Sequence, residues 1–303
     1  MDRAQVPGAP FTPNTRKDWG YAILFGLALS LGLVVSIEHF DDKLKTPEDV
    51  TRRLGVPVLG LLPAVRGAVV PVVSNSVPPT FGEAVRSLRT SLVFTSGSVG
   101  TRIVALTSTQ PGKGKTTAAC NLAMVLALGG AKTLIIDADM RRPNLHTLLG
   151  LKNSVGLSDL LTGKAPAQQA IQRTEDPNLF ALTAGQVPSN PSELLSSPRL
   201  RTLLNRLESG AFDRVIIDTP PVLAVTDAVV LSEMGAAVMF VIGAEMTRAG
   251  HAQHAIETLH ASGNSKVIGA LLNRVDFDGN KYYYSRYYGY GYTRYYEASP
   301  AAA

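Results

Sequence analysis

A stretch that could bind phosphate lies between Ile103 and Thr117. The apolar run 103–106 predicts a buried strand, the loop 110–114 contains two glycines, and a helical pattern begins at Lys115. Glycines let backbone N–H groups turn towards an anion, and the following helix presents its positive end at the same place. Gly114-Lys115-Thr116 adds a lysine for phosphates and a hydroxyl that can bind Mg²⁺. The strict phosphate-loop pattern has a glycine where this chain has Thr109, but the strand and helix on either side favour a nucleotide site.

Carboxylates follow two further apolar runs. The run 133–139 ends in Asp137 and Asp139, which are two residues apart and therefore face the same side of a strand. The run 214–221 contains Asp218, which is well placed for the water shell of Mg²⁺. Ligands bind at the carboxyl ends of parallel strands, so these carboxylates belong to the expected site. A helix cap and a turn would explain one of the first two aspartates but not both.

The segment 281–297 holds nine of the chain's ten tyrosines and has neither strand nor helix periodicity. Three interpretations are open: a basic, aromatic tail that adsorbs RNA or membrane, an inert and sticky tail, or a cluster of phenol nucleophiles for phosphoryl transfer. A nucleotide-triphosphate site on the same chain favours the third.

Alternating strand and helix patterns position these groups. Apolar runs predict strands at 56–62, 103–106, 133–139, 179–185, 214–221, 236–242 and 266–273, and helical patterns lie at 46–55, 81–92, 115–129, 156–161, 191–207 and 247–261. Because the strands are apolar throughout rather than alternating, we expect an α/β fold: a doubly wound parallel sheet of the P-loop NTPase type.

The overall composition sets limits on function. The chain has 303 residues, 45% of them apolar, and a net charge of +5, which favours anionic partners but is too diffuse to indicate nucleic-acid binding. Its single cysteine, Cys120, excludes an intramolecular disulfide, and no Cys/His cluster has zinc spacing.

Residues 19–37 form a run of nineteen residues without a charge. As a helix this run would span about 28 Å, close to the hydrocarbon thickness of a bilayer, and Trp19 and Tyr21 suit an interface. A buried helix or a cleaved signal peptide fits less well, so the sequence predicts one transmembrane helix after a polar lead-in, 1–18. Flanking charges do not set its orientation, but ATP chemistry requires a cytosolic nucleotide domain.

Three charged residues, Glu83, Arg86 and Arg89, recur every third position and share one face of the predicted helix 81–92. They form either a solvated, self-paired surface or a strip of salt bridges to another molecule.

Taken together, these segments resemble the bacterial tyrosine kinases of capsule and exopolysaccharide synthesis. The matching motifs are P-G-K-G-K-T-T at 111–117, L-I-I-D-A-D-M-R-R-P at 134–143, V-I-I-D-T-P-P at 215–221, E-x-x-R-x-x-R at 83–89, and the tyrosine tail. The resemblance covers about residues 38 to 297, and the apolar helix resembles the second membrane span of the associated co-polymerase. The co-polymerase's first span and external domain have no counterpart in the sequence, so we do not expect this chain alone to control polymer length.

The resemblance implies roles for individual residues. Lys115 would bind the β- and γ-phosphates, Thr116 would bind Mg²⁺, and Asp137 would act as base or metal-linked residue, supported by Asp139 and completed by Asp218. The nucleotide would contact Gly112, Lys113, Gly114, Lys115, Thr116, Thr117, Arg141 and Asn273. Glu83, Arg86 and Arg89 would bind a neighbouring subunit and close a ring. The phosphoacceptors would be Tyr282, Tyr283, Tyr284, Tyr287, Tyr288, Tyr290, Tyr292, Tyr295 and Tyr296.

The same resemblance predicts the biology of the chain. We expect an ATP- and Mg²⁺-dependent tyrosine kinase at the cytoplasmic membrane that phosphorylates its tail between subunits. Its partners would be its own copies, other membrane components of polysaccharide synthesis, and a phosphotyrosine phosphatase. The expected kinase domain is 81–275, after a juxtamembrane segment and linker, 38–80, and before a disordered tail, 276–303.

Lys113 stands where the family commonly has glutamate, and we expect this change to matter little. Gln110 stands where the related partition and septum-placement ATPases have a lysine, which argues against that branch. Motifs of eukaryotic-type kinases are missing. The rival function is a membrane-tethered ATPase switch whose tail is adhesive.

Overall fold

The computed structural model describes residues 15–40, 42–65, 77–100, 102–261 and 263–277, with the side chains at 15, 34, 35, 37–40, 98 and 99 left outside that description. The chain divides into two compact units, residues 1–42 and residues 43–303.

The main described element of the first unit is helix α1, Thr15–Phe40. Its large apolar side chains from Trp19 to Leu33 are exposed by 60% to 71%. Over the residues that the structure describes, no helix combines the length and the apolar character needed to cross a membrane. The predicted span, 19–37, lies partly outside those residues, because the side chains at 34, 35 and 37 are not described. The helix is thus confirmed, whereas the span remains a prediction.

The second unit alternates strands and helices. Its helices are α2 Pro47–Leu54, α3 Pro79–Val99, α4 Lys115–Leu128, α5 Leu145–Leu148, α6 Leu157–Thr162, α7 Ala167–Ala170, α8 Pro191–Leu195, α9 Pro198–Arg206, α10 Asp227–Glu233 and α11 Ala249–His260. Its strands are β1 Val58–Pro63, β2 Ile103–Ser108, β3 Thr133–Asp137, β4 Ile171–Arg173, β5 Leu179–Leu182, β6 Arg214–Asp218, β7 Ala237–Gly243 and β8 Lys266–Val275. A short turn, Leu207–Ala211, follows α9, and Gly210 within it has a φ of 109°.

The eight strands form one sheet in the order β1-β8-β7-β2-β6-β3-β5-β4. All neighbouring pairs are parallel except β4 with β5. The predicted parallel, doubly wound α/β sheet is therefore confirmed in its main part. The prediction of parallel strands is wrong for the edge strand β4, which is antiparallel. The antiparallel strand β4 has only three residues, of which the first two are half-buried, so it lacks the apolar run that marked the other strands.

Helices cover both faces of the sheet. Successive residues of a strand point to opposite faces, and on β7 Ala237, Met239 and Val241 pack with α3 and α4, whereas Val238, Phe240 and Ile242 pack with α2 and α11. The part of the second face beneath β3 and β6 is covered mainly by α6, α8 and α9. Burial on both faces explains why the strand sequences are continuously apolar.

The sequence placed the start of the kinase domain at residue 81, but the first strand of the sheet, β1, lies upstream of that residue. Strand β1 pairs in parallel with β8, and Leu61 and Leu62 are buried. The strand predicted at 56–62, within the juxtamembrane segment and linker 38–80, thus belongs to the same sheet. The linker part at 66–76 lies outside the described residues.

Helix α2 has the local signals that the sequence predicts. Thr46 Oγ1 accepts a hydrogen bond from the Asp49 backbone N–H at 3.1 Å, and Asp49 Oδ2 accepts one from the Thr46 N–H at 3.2 Å. Pro47 occupies the first turn, and Gly55 ends the helix with a φ of 68°.

Candidate active site

The phosphate loop joins the end of β2 to the start of α4. Gly112 and Gly114 have φ values of 79° and 84°, left-handed conformations that glycine adopts without strain. The two glycines turn the loop sharply before α4, whose first turn has N–H groups without partners inside the helix. Lys115, the first residue of α4, is only 7% exposed. This geometry is that of an anion cradle.

The carboxylates predicted from the sequence lie beside this loop. β6 lies between β2 and β3, and the register pairs Asp218 with Leu106 on one side and with Asp137 on the other. Asp137 and Asp218 are 0% and 1% exposed. The sheet order thus brings together three carboxyl-terminal strand ends that are far apart in the sequence.

Asp137 is fixed by three backbone donors. Its Oδ1 accepts a hydrogen bond from the Asp139 N–H at 3.2 Å, and its Oδ2 accepts bonds from the N–H groups of Asn144 and Leu145 at 3.2 and 3.1 Å. Burial, followed by the charge of Asp218, raises the pKa of Asp137 to about 8 despite these bonds. Asp137 therefore holds the turn after β3 in place, and ionisation of its carboxyl group is unfavourable.

Asp218 lies between opposing influences. Burial raises its pKa to about 6, whereas the charge of Lys115 and a hydrogen bond from the Thr116 side chain act in the lowering direction. Its Oδ1 is buried and has no hydrogen-bond partner among the described residues. An ionised oxygen without a partner, beside a second buried carboxylate, is the environment that a cation would relieve.

The residues therefore fit a Mg²⁺ ion. Mg²⁺ in nucleotide sites is commonly held by one or two carboxylates or hydroxyls together with substrate phosphates, and Thr116 and Asp218 are the matching groups. Among the residues described, no group of three or more His, Cys, Asp or Glu side chains is arranged to hold a metal ion.

Asp139 differs from the two buried aspartates because it is half-exposed. Burial raises its pKa, hydrogen bonding from the Arg142 N–H at 3.1 Å and the charge of Lys115 act in the opposite sense, and the charge of Asp227 adds to the increase. It is the carboxylate of this group that an incoming substrate can reach.

A buried aspartate that the sequence analysis missed, Asp227, lies beside this group. It is 1% exposed at the start of α10, and its Oδ1 accepts a hydrogen bond from Ser192 Oγ at 2.9 Å. Arg141 lies 3.7 Å from its Oδ2 through Nε and donates from Nη2 to Ser192 Oγ at 2.7 Å. Arg141, predicted to contact the nucleotide, is thus held at the edge of the site by two residues from later elements. The sequence signal at Asp227 was weak, since a lone aspartate before an apolar turn resembles a helix cap.

Asn273 and Lys113, both predicted to contact nucleotide, link the phosphate loop to β8 and to the turn after β7. Asn273 Nδ2 donates to the Lys113 carbonyl at 2.8 Å, and Lys113 Nζ donates to the Met246 carbonyl at 2.7 Å. A Cβ atom at Gly114 would clash with Asn273 Nδ2, and the φ of 84° at this position also favours glycine. The Asn273 side chain thus reaches from β8 to the backbone of the phosphate loop. A contact of Asn273 with adenine remains a prediction.

The three charged residues of the predicted oligomer strip already have partners within the chain. Glu83 and Arg86 form an ion pair on the surface of α3. Arg89 Nη1 donates to the Val125 carbonyl at 3.2 Å, in the last turn of α4. The self-paired interpretation is therefore confirmed for Glu83 and Arg86, and contact with another subunit remains a prediction.

The nine tyrosines predicted to accept phosphate, Tyr282 to Tyr296, lie outside the described residues.

Comparison with known proteins places this site in context. An AAA domain family model matches residues 101–267. Tyrosine-protein kinase YwqD of Bacillus subtilis is 42% identical over 191 residues, which are 63% of this chain and 80% of YwqD. The EpsB protein of Ralstonia nicotianae is 34% identical over 320 residues, covering 100% of this chain and 42% of EpsB. The kinase domain of the Escherichia coli tyrosine kinase Etk matches with a TM-score of 0.68 and 34% identity, over 75% of this chain and 94% of that domain. The chain thus spans less than half the length of its Ralstonia relative.

Proposed function

This chain belongs to the bacterial tyrosine-protein kinases, and on that premise we propose that it transfers the terminal phosphoryl group of ATP to tyrosine hydroxyls of its own tail. One observation carries the proposal: the phosphate loop, Asp218 and the half-exposed Asp139 lie together at one edge of the sheet. The tail of nine tyrosines supplies acceptors on the same chain.

The phosphate loop binds the substrate ATP. The N–H groups of residues 112–116 cradle its phosphates, and the ammonium group of Lys115 offsets their charge. Thr116 and Asp218 would hold Mg²⁺, which would supply positive charge to neutralise the phosphate oxygens. Thr117 and Arg141 complete the nucleotide side of the site, and Asn273 reaches the base from the loop it holds.

Asp137 and Asp139 divide the remaining work. Asp137 is fully buried and accepts three backbone hydrogen bonds, so it positions the turn that carries Asp139. Asp139 orients the incoming tyrosine hydroxyl and accepts its proton. A phenol with a pKa near 10 is almost fully protonated at neutral pH, so a nearby carboxylate with a raised pKa is a useful acceptor.

The acceptor tail is that of a neighbouring copy of the same chain. Each tail then reaches a site without having to fold back onto its own domain. Glu83, Arg86 and Arg89 on α3 provide a surface for assembly of the copies into a ring. Each phosphate adds about −1.5 to −2 charges, so phosphorylation reverses the basic character of the tail and loosens the ring.

Residues 19–37 anchor the chain in the cytoplasmic membrane, with the kinase unit in the cytoplasm. The support is the uncharged run in the sequence and the exposure of the large apolar side chains of α1. The motif resemblance extends the proposal to regulation of exopolysaccharide or capsule synthesis, together with membrane partners of that pathway and a phosphotyrosine phosphatase that resets the tail.

The test is to incubate the purified full chain with Mg²⁺ and ATP labelled at the terminal phosphate. We expect label on tyrosine of the protein and its loss on truncation after residue 277. Release of free phosphate with no labelled tyrosine would contradict the kinase function and identify a switch ATPase instead.

A further inference from the structure

Lys113 is unusual among lysines because it is only 5% exposed. It lies between the two left-handed glycines of the phosphate loop, yet its side chain is directed to the end of β7. Its Cδ lies 3.1 Å from the position that a Cβ would take on Gly243, so the absence of a side chain there leaves room for the lysine stem.

The ammonium group of Lys113 is bound to a neutral acceptor. Nζ donates to the Met246 carbonyl at 2.7 Å. Burial, and then the charge of Arg274, lower the pKa of Lys113. The carbonyl contact therefore fixes the ammonium group beside residues 243–247.

The segment that Lys113 holds, residues 243–247, depends on contacts from elsewhere. Glu245 has a φ of 58°, a conformation that a residue with a side chain rarely adopts. Its N–H donates to the Leu44 carbonyl at 2.9 Å, and the Leu44 N–H donates to the Thr247 carbonyl at 2.8 Å. Leu44 is fully buried, so this contact with the chain downstream of residue 42 is part of the core.

Asn273 makes a second connection between the same two segments. Its carbonyl accepts a hydrogen bond from the Ala244 N–H at 2.8 Å, and its side chain donates to the Lys113 carbonyl at 2.8 Å. Because the second of these bonds uses the Lys113 backbone, a change of the Lys113 side chain leaves it intact and isolates the effect of the ammonium group.

We propose that Lys113 is a positioning residue: its ammonium group ties the phosphate loop to residues 243–247, and through them to Leu44. The bond orders both loops before nucleotide binds, so that less conformational entropy is lost on binding. The inference rests on the proposed nucleotide site but not on the kinase reaction.

Amide hydrogen exchange of the nucleotide-free full chain tests this directly, comparing wild type with Lys113→Met, which keeps an apolar stem. We expect exchange at Leu44, Glu245, Met246 and Thr247 to be about tenfold faster in Lys113→Met, because a charged hydrogen bond no longer holds the segment. Lys113→Arg, which restores a charged donor, should recover part of the protection. Lys164→Met, a change at an exposed lysine, is the matched control and should leave these amides unchanged.

Nucleotide binding gives the second readout. Lys113→Met should weaken Mg²⁺–ATP binding by about tenfold, because the two loops must then be ordered at the expense of binding. Unchanged exchange at the four amides would overturn the proposal, whether or not the chain proves to be a kinase. If Lys113→Met does not fold, Lys113→Leu, which also lacks a donor, gives the same comparison.

Discussion

The aspartates at the ends of β3 and β6 have different surroundings although both are buried. Asp137 is satisfied by three backbone N–H groups, whereas Asp218 retains an oxygen without a partner among the described residues. Asp139 is the accessible member of the group. The difference separates a carboxylate that shapes the site, one that can hold a cation and one that can meet a substrate.

Replacement of Asp139 by asparagine should lower kcat by about 10²- to 10⁴-fold, because the tyrosine hydroxyl loses its proton acceptor. The KM for ATP should change by no more than a few-fold, since the phosphate loop is untouched. Steady-state tyrosine phosphorylation measures both constants. Asp213→Asn, at an exposed carboxylate at the opposite end of β6, is the control; an Asp139→Asn protein with wild-type kcat would contradict the role.

The two buried aspartates also predict how stability depends on pH in metal-free buffer. Their folded-state pKa values, about 8 for Asp137 and about 6 for Asp218, exceed the value of about 3.9 in an unfolded chain. The folded state then binds more protons between about pH 4 and pH 8, so this contribution to stability is lost as pH rises through that window.

Thermal unfolding of wild type and Asp137→Asn at pH 5.5 and pH 8.5 measures this contribution. The variant should gain stability relative to wild type as pH rises, on top of a constant loss from its altered hydrogen bonds. A difference in Tm between the two proteins that is the same at both pH values would contradict the assignment.

At the scale of elements, the close fit of β1 against α3 joins the upstream segment to the domain. A Cβ atom on Gly60 would lie 3.0 Å from Leu88 Cδ1 and 3.1 Å from its Cβ. Leu88 is fully buried, so neither element can move aside freely. The absence of a side chain at this strand position is therefore a packing requirement.

Gly60→Val should destabilise the second unit by about 1–3 kcal/mol through overpacking against α3. Gly97→Ala is the matched control, because a Cβ at that helical position meets nothing within 4 Å and alanine favours the helix by up to about 1 kcal/mol. Urea unfolding should move the midpoint down for the first variant and up for the second. Equal stability of Gly60→Val and wild type would show that β1 is not held against α3.

At the scale of the whole molecule, the tyrosine-rich tail that we propose as substrate and the candidate site belong to one chain with a net charge of +5. A few phosphates are enough to reverse that charge. Transfer between copies would thus change the electrostatic state of the assembly that performs it.

Mixing a protein with a disabled site and a protein without a tail tests transfer between copies. Lys115→Met lacks the lysine proposed to bind phosphate but keeps its tail. A chain truncated after residue 277 keeps the site but lacks the acceptor tyrosines. We expect the Lys115→Met tails to gain phosphotyrosine only in the mixture, detected by blotting. Tails that stay unlabelled in the mixture would rule out transfer between copies.

The sequence by itself determined the local features of this protein. The phosphate loop, most of the strands and the helix caps could be predicted because they depend on residues close together in the chain, such as Gly114 before Lys115 or Thr46 before Asp49. The nature of the site followed from these features, since a phosphate cradle and aspartates at strand ends already define a chemistry.

The tertiary structure decided which distant residues meet. The sheet order sets β6 between β2 and β3, and no local pattern indicates that order; it pairs Asp137 with Asp218 and leaves Asp139 half-exposed. The tertiary structure also decided four other features: the place of β1 in the sheet, the antiparallel pairing of β4, the contact of Asp227 with Arg141, and the bond from Lys113 to Met246. Each depends on packing between elements remote in sequence, where burial and register, not local propensity, determine the contact.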